Sequence, residues 1–516
     1  MKRIPLLIAI ALLALVAAPL HAADDQTFDD WYVILMDDQP MGWMHAVRQR
    51  KGDHLVSTNQ VHLSIKRGQA AMTMEMSDEF VETLDAKAVS MGSTQALGAI
   101  TITMRATFKT DGVEVTTEQG GQTTTRADPL PQGQWYTPAA FERYADEQIA
   151  KGETAFGGRV ITPLLGLAPV RIDAKKLGQE NIEVLGKTVP AQLWETTTTP
   201  PGAGATERIY VDEKYRLLKS TMDVMGMKLT VLAADKELAQ KQVNPPDLLA
   251  KTLIKPDKPI KDARKLRSAV YELTFDQAGA QARAESAKPR IPSDNQTAQA
   301  ALLPRGGYQR VVWADDHTAR VVVDLDSPVN PGTDLPTDAS RKSSTLLNSD
   351  DPEVRKLADQ AVAELPKDAT PAQQAEAMRR FVHGYVTAKD LSVGFASAGQ
   401  VARTRQGDCT EHAVLLAAML RAGGIASRTV SGVIYIDRFM GQDHVFGYHL
   451  WTQAWLGDDD AKKGGRWVDL DATLADQPFD AAHIALSTGD LAGDAINDIM
   501  RLAPITGTLR IGVIEP

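Results

Sequence analysis

Cys409 is the single cysteine of a 516-residue chain. It stands in the segment Arg405 to Arg421 (RQGDCTEHAVLLAAMLR), after a Gly-Asp pair and at the head of a strongly helical run. A nucleophilic thiolate needs such a place. The partial positive charge of a helix N-terminus favours thiolate over thiol. Unpaired backbone N–H groups of a first helical turn can also hold an oxyanion. The plain alternative is a small buried apolar residue, which is what most free cysteines are. The cysteine count alone does not separate the two readings.

A thiolate nucleophile works with an imidazole, which takes its proton and later gives it to the leaving group. The candidates are His383, His412, His444 and His449. His412 is three residues from Cys409 on the same helix, so it can touch the sulfur or stand behind it. His444 falls in a segment read as loop, Asp437 to Gly447 (DRFMGQDHVFG). His449 opens the strand Tyr448 to Leu456 (YHLWTQAWL), where His449, Trp451, Gln453 and Trp455 share one face. A polar loop, Gly457 to Gly465, leads to a return strand, Arg466 to Asp471 (RWVDLD). If a hairpin closes with Leu456 opposite Arg466, Asp471 falls opposite Trp451 and diagonal to His449. Diagonal neighbours lie about 7–8 Å apart by backbone, a gap that His and Asp side chains span. An aspartate on the imidazole fixes its tautomer and steadies the imidazolium. Asp469 falls a step further away. His449 satisfied by backbone, and Asp471 capping a turn through Thr473, are the structural alternatives.

The segment Gly407 to Asp471 resembles the transglutaminase-like superfamily, whose core has a Cys starting a helix, a His-x-Trp strand and a W-V-x-x-D-P-T strand. Here these read GDCTEHAVLLAAMLRAGGIASRTVSG from Gly407, HLW from His449 and WVDLDAT from Trp467. The resemblance extends over about the last third of the chain. It implies that Cys409 is the nucleophile, His449 the general base and Asp471 the third member of a catalytic triad. It implies a papain-like fold, a Cys-bearing helix packed on an antiparallel sheet. It also implies acyl transfer at an amide bond through a thioester, in a peptide or protein substrate. The acceptor is water in a protease or amidase, and an amine in a transglutaminase. The residues leave that choice open. Two positions depart from the pattern: Ala472 stands in place of proline, and Gln453 in place of a common glutamate, which bears on substrate choice. A second reading also stays open, a non-catalytic protein that keeps this fold to bind peptide or cell wall. No Cys/His cluster has metal-ligand spacing, and no cofactor is expected. Asp458-Asp459-Asp460 reads as a solvated hairpin loop.

The elements that must hold these residues follow from period and caps. Ala413, Leu416, Ala417 and Leu420 form a core face of the Cys409 helix, which Gly423-Gly424 stops. Asp350 or Asp351 caps a helix with Pro352 near its start, and Thr370-Pro371 opens another. Tyr385 to Thr404 reads as a loop into the cysteine. Upstream, Asp29 to Glu237 reads mostly as antiparallel strands of period two, with Pro138 to Ile149 as a helix and Thr196 to Ala203 as a loop. Met72, Met74 and Met76 read as a core stripe. With the papain-like core that the resemblance implies, the fold class is α+β, that core after a β-rich region. The expected division is 1–22 a signal peptide, 23–240 a β-rich domain, 241–265 a linker, 266–345 a small β domain with Gln277 to Ala301 as a long loop, and 346–516 the thiol domain.

Lys2-Arg3, the apolar run Ile4 to Ala18 and Leu20-His21-Ala22 have the form of a cleaved export signal. Export places the mature chain in the periplasm or outside the cell, with no further membrane span. The default role of the β-rich region is then binding, spacing or docking at the cell envelope. A net charge of −10 and a pI near 5.6, without a dense Lys/Arg stripe, disfavour nucleic acid as a partner.

Overall fold

The computed structural model describes residues 27–67, 70–97, 100–119, 122–199, 205–224, 226–242, 244–247, 251–276, 302–388, 396–457, 464–491 and 505–516. The segment expected to be an export signal, the segment expected to be a long loop from Gln277 and the Asp458–Asp460 run lie outside the described residues. The chain divides into two compact units, the boundary falling between Asp247 and Leu248.

The first unit is one antiparallel sheet of fourteen strands: β1 (Phe28–Met36), β2 (Gln39–Lys51), β3 (His54–Arg67), β4 (Ala70–Thr83), β5 (Ala88–Leu97), β6 (Ile100–Phe108), β7 (Val113–Gln119), β8 (Gln122–Asp128), β9 (Ala155–Thr162), β10 (Gly166–Val184), β11 (Lys187–Thr199), β12 (Ala205–Val211), β13 (Leu217–Val224) and β14 (Met227–Ala234). Every neighbouring pair is consecutive in sequence except β1 with β14, which joins the two halves. Alternation drives this architecture: Met72, Met74 and Met76 are all buried, as a core stripe requires. Helix α1 (Pro138–Ala150) is capped by Thr137, whose hydroxyl accepts the Ala140 amide at 3.3 Å. Its Glu142 forms a buried bidentate pair with Arg48 of β2. A one-turn helix, α2 (Lys236–Ala239), follows β14. The expected loop from Thr196 is corrected: Thr196 to Thr199 end β11, and their β-branched side chains suit the ladders with β10 and β12.

In the second unit, β15 (Ser268–Thr274), β16 (Gln309–Trp313), β17 (Thr318–Asp324) and β22 (Arg510–Glu515) make a sheet of order β16-β17-β15-β22. Another sheet holds β18 (Ser427–Phe439), β19 (Gln442–Leu456), β20 (Arg466–Leu470) and β21 (His483–Gly489) in the order β20-β19-β18-β21. Among the described residues four helices accompany them: α3 (Pro352–Val362), α4 (Pro371–Tyr385), α5 (Ala398–Thr404) and α6 (Cys409–Ala422). Asp351 and Thr370 cap α3 and α4, and Thr370 forms a full capping box with Gln373.

The expected linker and small β domain are not separate bodies. Ile254 exchanges backbone hydrogen bonds with Phe446 at 3.0 and 2.7 Å, and Ile260 is buried in the same core as Tyr271, Val321, Tyr435 and Ile511. The small sheet also takes its edge strand, β22, from the far end of the chain. Strands outweigh helices over the described residues, so the α+β expectation is met with β dominant. The segment read as a loop before His449 is a hairpin instead. Met440 and Gly441, both at positive φ (50° and 78°), turn β18 into β19. Strand β19 therefore begins at Gln442 and carries His444.

Candidate active site

Helix α6 is buried from Cys409 to Arg421 on every side, not on one face as its period suggests. A helix apolar nearly all round belongs in a core. Two hydroxyls tie it to the sheet: Thr452 of β19 donates to the Ala413 carbonyl at 3.0 Å, and Ser427 of β18 to that of Ala417 at 2.7 Å. The strand that carries His449 is thus fixed to the helix that carries Cys409.

The start of α6 is a capping box. Asp408 accepts the Thr410 amide at 3.0 Å and that of Glu411 as well, while Glu411 accepts the Asp408 amide at 2.9 Å. Glu411 also accepts from Ala396 at 3.2 Å. Burial, reinforced by Asp408, pushes the Glu411 carboxyl well above its ordinary range. Gly407 makes the arrangement feasible: its φ is +148°, and a Cβ there would meet Glu411 Cβ at 2.2 Å. The cap corrects one expectation, because the amides of Thr410 and Glu411 are committed to Asp408 and do not form an open anion site.

The hairpin register agrees with the count from sequence. Leu456 faces Arg466, Gln453 faces Asp469, and Thr452 faces Leu470. Asp471 follows in the next turn, and His449 Nε2 donates to its Oδ2 at 2.7 Å. Nδ1 of His449 is buried without a hydrogen-bond partner among the described residues, and Cys409 is, with Asp471, one of the groups that shift the His449 pKa. Cys409, His449 and Asp471 are thereby brought together, at 1 %, 4 % and 1 % exposure.

Charge follows from this geometry. Burial and Asp408 push the Cys409 thiol up, but the hydrogen bond and charge of His449 outweigh them and its pKa is lowered. The lowering of the thiol pKa comes chiefly from the imidazole. Burial opposes charge on His449, yet Asp471 and the sulfur raise its pKa to about 9. Asp471 is held well below the usual carboxylate range by His449 and His483, against the effect of burial.

The other histidines serve elsewhere. His412 donates from Nδ1 to the Asp408 carbonyl at 2.6 Å, and burial lowers its pKa to about 4. His383 Nδ1 lies 3.1 Å from the Ala472 carbonyl, and His444 Nδ1 lies 2.9 Å from the Tyr435 hydroxyl. Asp469 does not reach His449. It accepts from Trp451 Nε1 and Gln453 Nε2, each at 2.8 Å, and so seats the indole that lies alongside His449. Gly432 of β18 leaves room for that indole: a Cβ would come within 2.5 Å of it.

Sequence reasoning missed two residues. Arg379 of α4 is fully buried, pairs with Glu376 at 2.8 Å and donates to the carbonyls of Asp471, Leu474 and Ala475, so it holds the turn that presents Asp471. Its sign in the sequence is an arginine among the apolar positions of α4. His483 of β21 places Nε2 3.2 Å from Asp471 Oδ2. His449, Asp471 and His483 offer three ligand atoms within 4.8 Å, a spacing one cation could use, although both contacts of Asp471 are at hydrogen-bond length.

A helix-borne thiol, a strand-borne imidazole and an aspartate are all buried in this unit. Residues 355–472 match the model of the transglutaminase-like superfamily core. An uncharacterised protein of Mycobacterium tuberculosis (strain ATCC 25618 / H37Rv) and one of Mycobacterium bovis are each 35% identical to the chain over 95 residues. The match takes in 17% of this chain and 29% of each relative, so the chain spans under a third of the length of the curated relatives it matches. Among solved structures, a beta-barrel-like protein of domain of unknown function DUF1849 from Brucella abortus aligns with 40% of this chain and 96% of its own, at 10% identity and a TM-score of 0.32. A protein described as a putative cysteine protease from Cytophaga hutchinsonii aligns with 47% of this chain and 83% of its own, at 17% identity and a TM-score of 0.26. Scores this low bear on neither fold nor activity.

Proposed function

We propose that the chain is a thiol acyl-transfer enzyme that opens amide bonds through Cys409, His449 and Asp471. The observation that carries this reading is the 2.7 Å bond from His449 Nε2 to Asp471 Oδ2, which leaves Nδ1 uncommitted and able to take the thiol proton. The Cys409 thiolate attacks the amide carbonyl carbon, and an S–C bond forms as the π electrons move to oxygen. Collapse of this adduct breaks the C–N bond, and the leaving amine takes the proton from His449 Nδ1. An acceptor then attacks the thioester, returns a proton to His449 and releases the thiolate. Water as acceptor gives hydrolysis, the reading we favour because water is always present. A primary amine gives a new amide.

The sulfur is 1 % exposed, so its surroundings must part for a substrate, which favours a slender acyl donor over a flat protein surface. The Lys2-Arg3 and Ile4 to Ala18 pattern supports action outside the cytoplasm, with the first unit as a docking or spacing element at the cell envelope.

The deciding experiment compares wild type with Cys409→Ala on peptide amides, with and without a primary amine. Expected is product formation that the variant loses while its fold persists, and the amine dependence assigns the acceptor. A wild-type thiol that alkylates with an ordinary pKa of about 8.5 would favour the binding-protein reading instead.

A further inference from the structure

His483 is fully enclosed, and both of its ring nitrogens face acceptors. Nδ1 lies 2.9 Å from Asp480 Oδ1 and 3.1 Å from the Asp480 carbonyl. Nε2 lies 3.2 Å from Asp471 Oδ2. A neutral imidazole has one N–H, so one of its nitrogens would meet an acceptor lone pair to lone pair. Protons on both nitrogens, an imidazolium, satisfy both contacts at once. Asp480 is paired in turn with Arg264 at 2.8 Å. Charge alternates along the line Arg264, Asp480, His483, Asp471, His449 and Cys409, which is how a buried chain of ions avoids an uncompensated member.

We propose that His483 is a positioning residue for the acyl-transfer centre: anchored on Asp480, it shares Asp471 Oδ2 with His449 and sets how tightly Asp471 holds the His449 proton. The proposal rests on the triad reading above. A buried carboxylate with one imidazole partner would hold that imidazolium firmly and slow its gift of a proton to the leaving group. A second cation on the same oxygen draws off part of that field. It also stops Asp471 from turning, since Thr473 already holds Oδ1 through its amide and hydroxyl at 2.7 Å each.

The groups that face His483 are few. His449 lies on β19 with ring centroids 5.8 Å apart, and Asp471 follows β20. Asp480 precedes β21 with Arg264 behind it, and Asp469 of β20 is near enough for its pKa to be drawn down by His483. Trp451 and Phe479 close the remaining sides, with centroids at 5.4 and 4.3 Å. The direction of the His483 shift agrees: burial lowers its pKa, but Asp480 and Asp471 raise it overall.

The test is the rate of iodoacetamide alkylation of Cys409 against pH, in the full chain. Wild type should give two steps, one where the thiolate forms and one where His449 loses its proton. His483→Gln keeps an N–H toward Asp471 without the charge, and should move the upper step up by about one pH unit. An upper step that superimposes on wild type overturns the proposal and leaves the triad reading standing. A single ordinary step in wild type overturns the triad reading and this proposal together. If His483→Gln fails to fold by circular dichroism, Asp480→Asn, which removes the anchor of the same charge, should shift the step in the same direction. Histidine ¹⁵N spectra of wild type must also contain a His483 imidazolium at pH 7, and a neutral ring there overturns the proposal without any variant.

Discussion

Asp471 divides its carboxylate with Thr473: Oδ1 accepts the Thr473 amide and hydroxyl, each at 2.7 Å, so only Oδ2 remains for the histidines. The turn-capping contact and the contact with His449, which compete when read from sequence, are held by one residue through two oxygens. Asp471→Asn keeps an acceptor for Thr473 and gives His449 Nε2 a donor in place of an acceptor. Turnover should fall by roughly 10³-fold or more, because the imidazole tautomer is wrong. Thr473→Ala should cost about 1 kcal/mol of stability, one hydrogen bond, and reduce activity far less. Steady-state kinetics beside chemical denaturation separates the two.

Activity should trace a bell against pH. In the proposed mechanism the active form is thiolate with imidazolium, so the acid limb is set by a Cys409 thiol whose pKa is lowered and the basic limb by a His449 pKa of about 9. Stability follows the same groups. The contribution of His449, whose pKa is raised, is complete below its ordinary value of 6.5 and is lost as pH rises through about 9. That of Asp471, whose pKa is lowered, is present above its ordinary value of 3.8 and is lost as pH falls further. Melting temperature should therefore decline on both sides of neutrality, which a calorimetric pH series checks.

Gly407→Ala should be costly. It forces a side chain onto a φ of +148° and into Glu411 Cβ at 2.2 Å. A loss of about 2 kcal/mol or more is expected from strain and clash together. Because the same residue sets the start of α6, Cys409 alkylation in the folded variant should lose its low-pH step.

Gln453→Glu restores the residue common in the family pattern and should still destabilise this chain. Gln453 donates to Asp469 and accepts from Arg428 at 2.8 Å each. A glutamate keeps the second bond and sets a carboxylate against Asp469, which is already pushed up by burial. A cost of about 1–3 kcal/mol is expected, with the Trp451 indole, which Asp469 seats, reporting the change by fluorescence.

The sequence carried the site wherever the signal was local. Asp408 before an apolar helix, and the strict alternation from His449 to Leu456 with its return at Arg466, were enough to place Asp471 against His449, because a hairpin register is set by its turn. The same reasoning misread the segment before His449, where a two-residue Met440-Gly441 turn lacks the usual Asn-Gly or Asp-Gly signal. It misjudged the division of the second unit because β22 reaches its sheet across more than half of that unit, a pairing with no local sign. His483 was invisible for a like reason: it lies on β21, paired with β18 rather than β19, so no short count leads from Asp471 to it.

The sheet of the first unit has a kinetic consequence. Each ladder but one joins strands adjacent in sequence, so successive hairpins can form with little loss of chain entropy. The β1–β14 ladder brings Trp31 to Ala234 and is the long-range ladder of this sheet among the described residues. Until β14 emerges from the ribosome, β1 keeps a bare edge, so the interval in which this chain is exposed to edge-to-edge association lasts as long as the synthesis of everything between them.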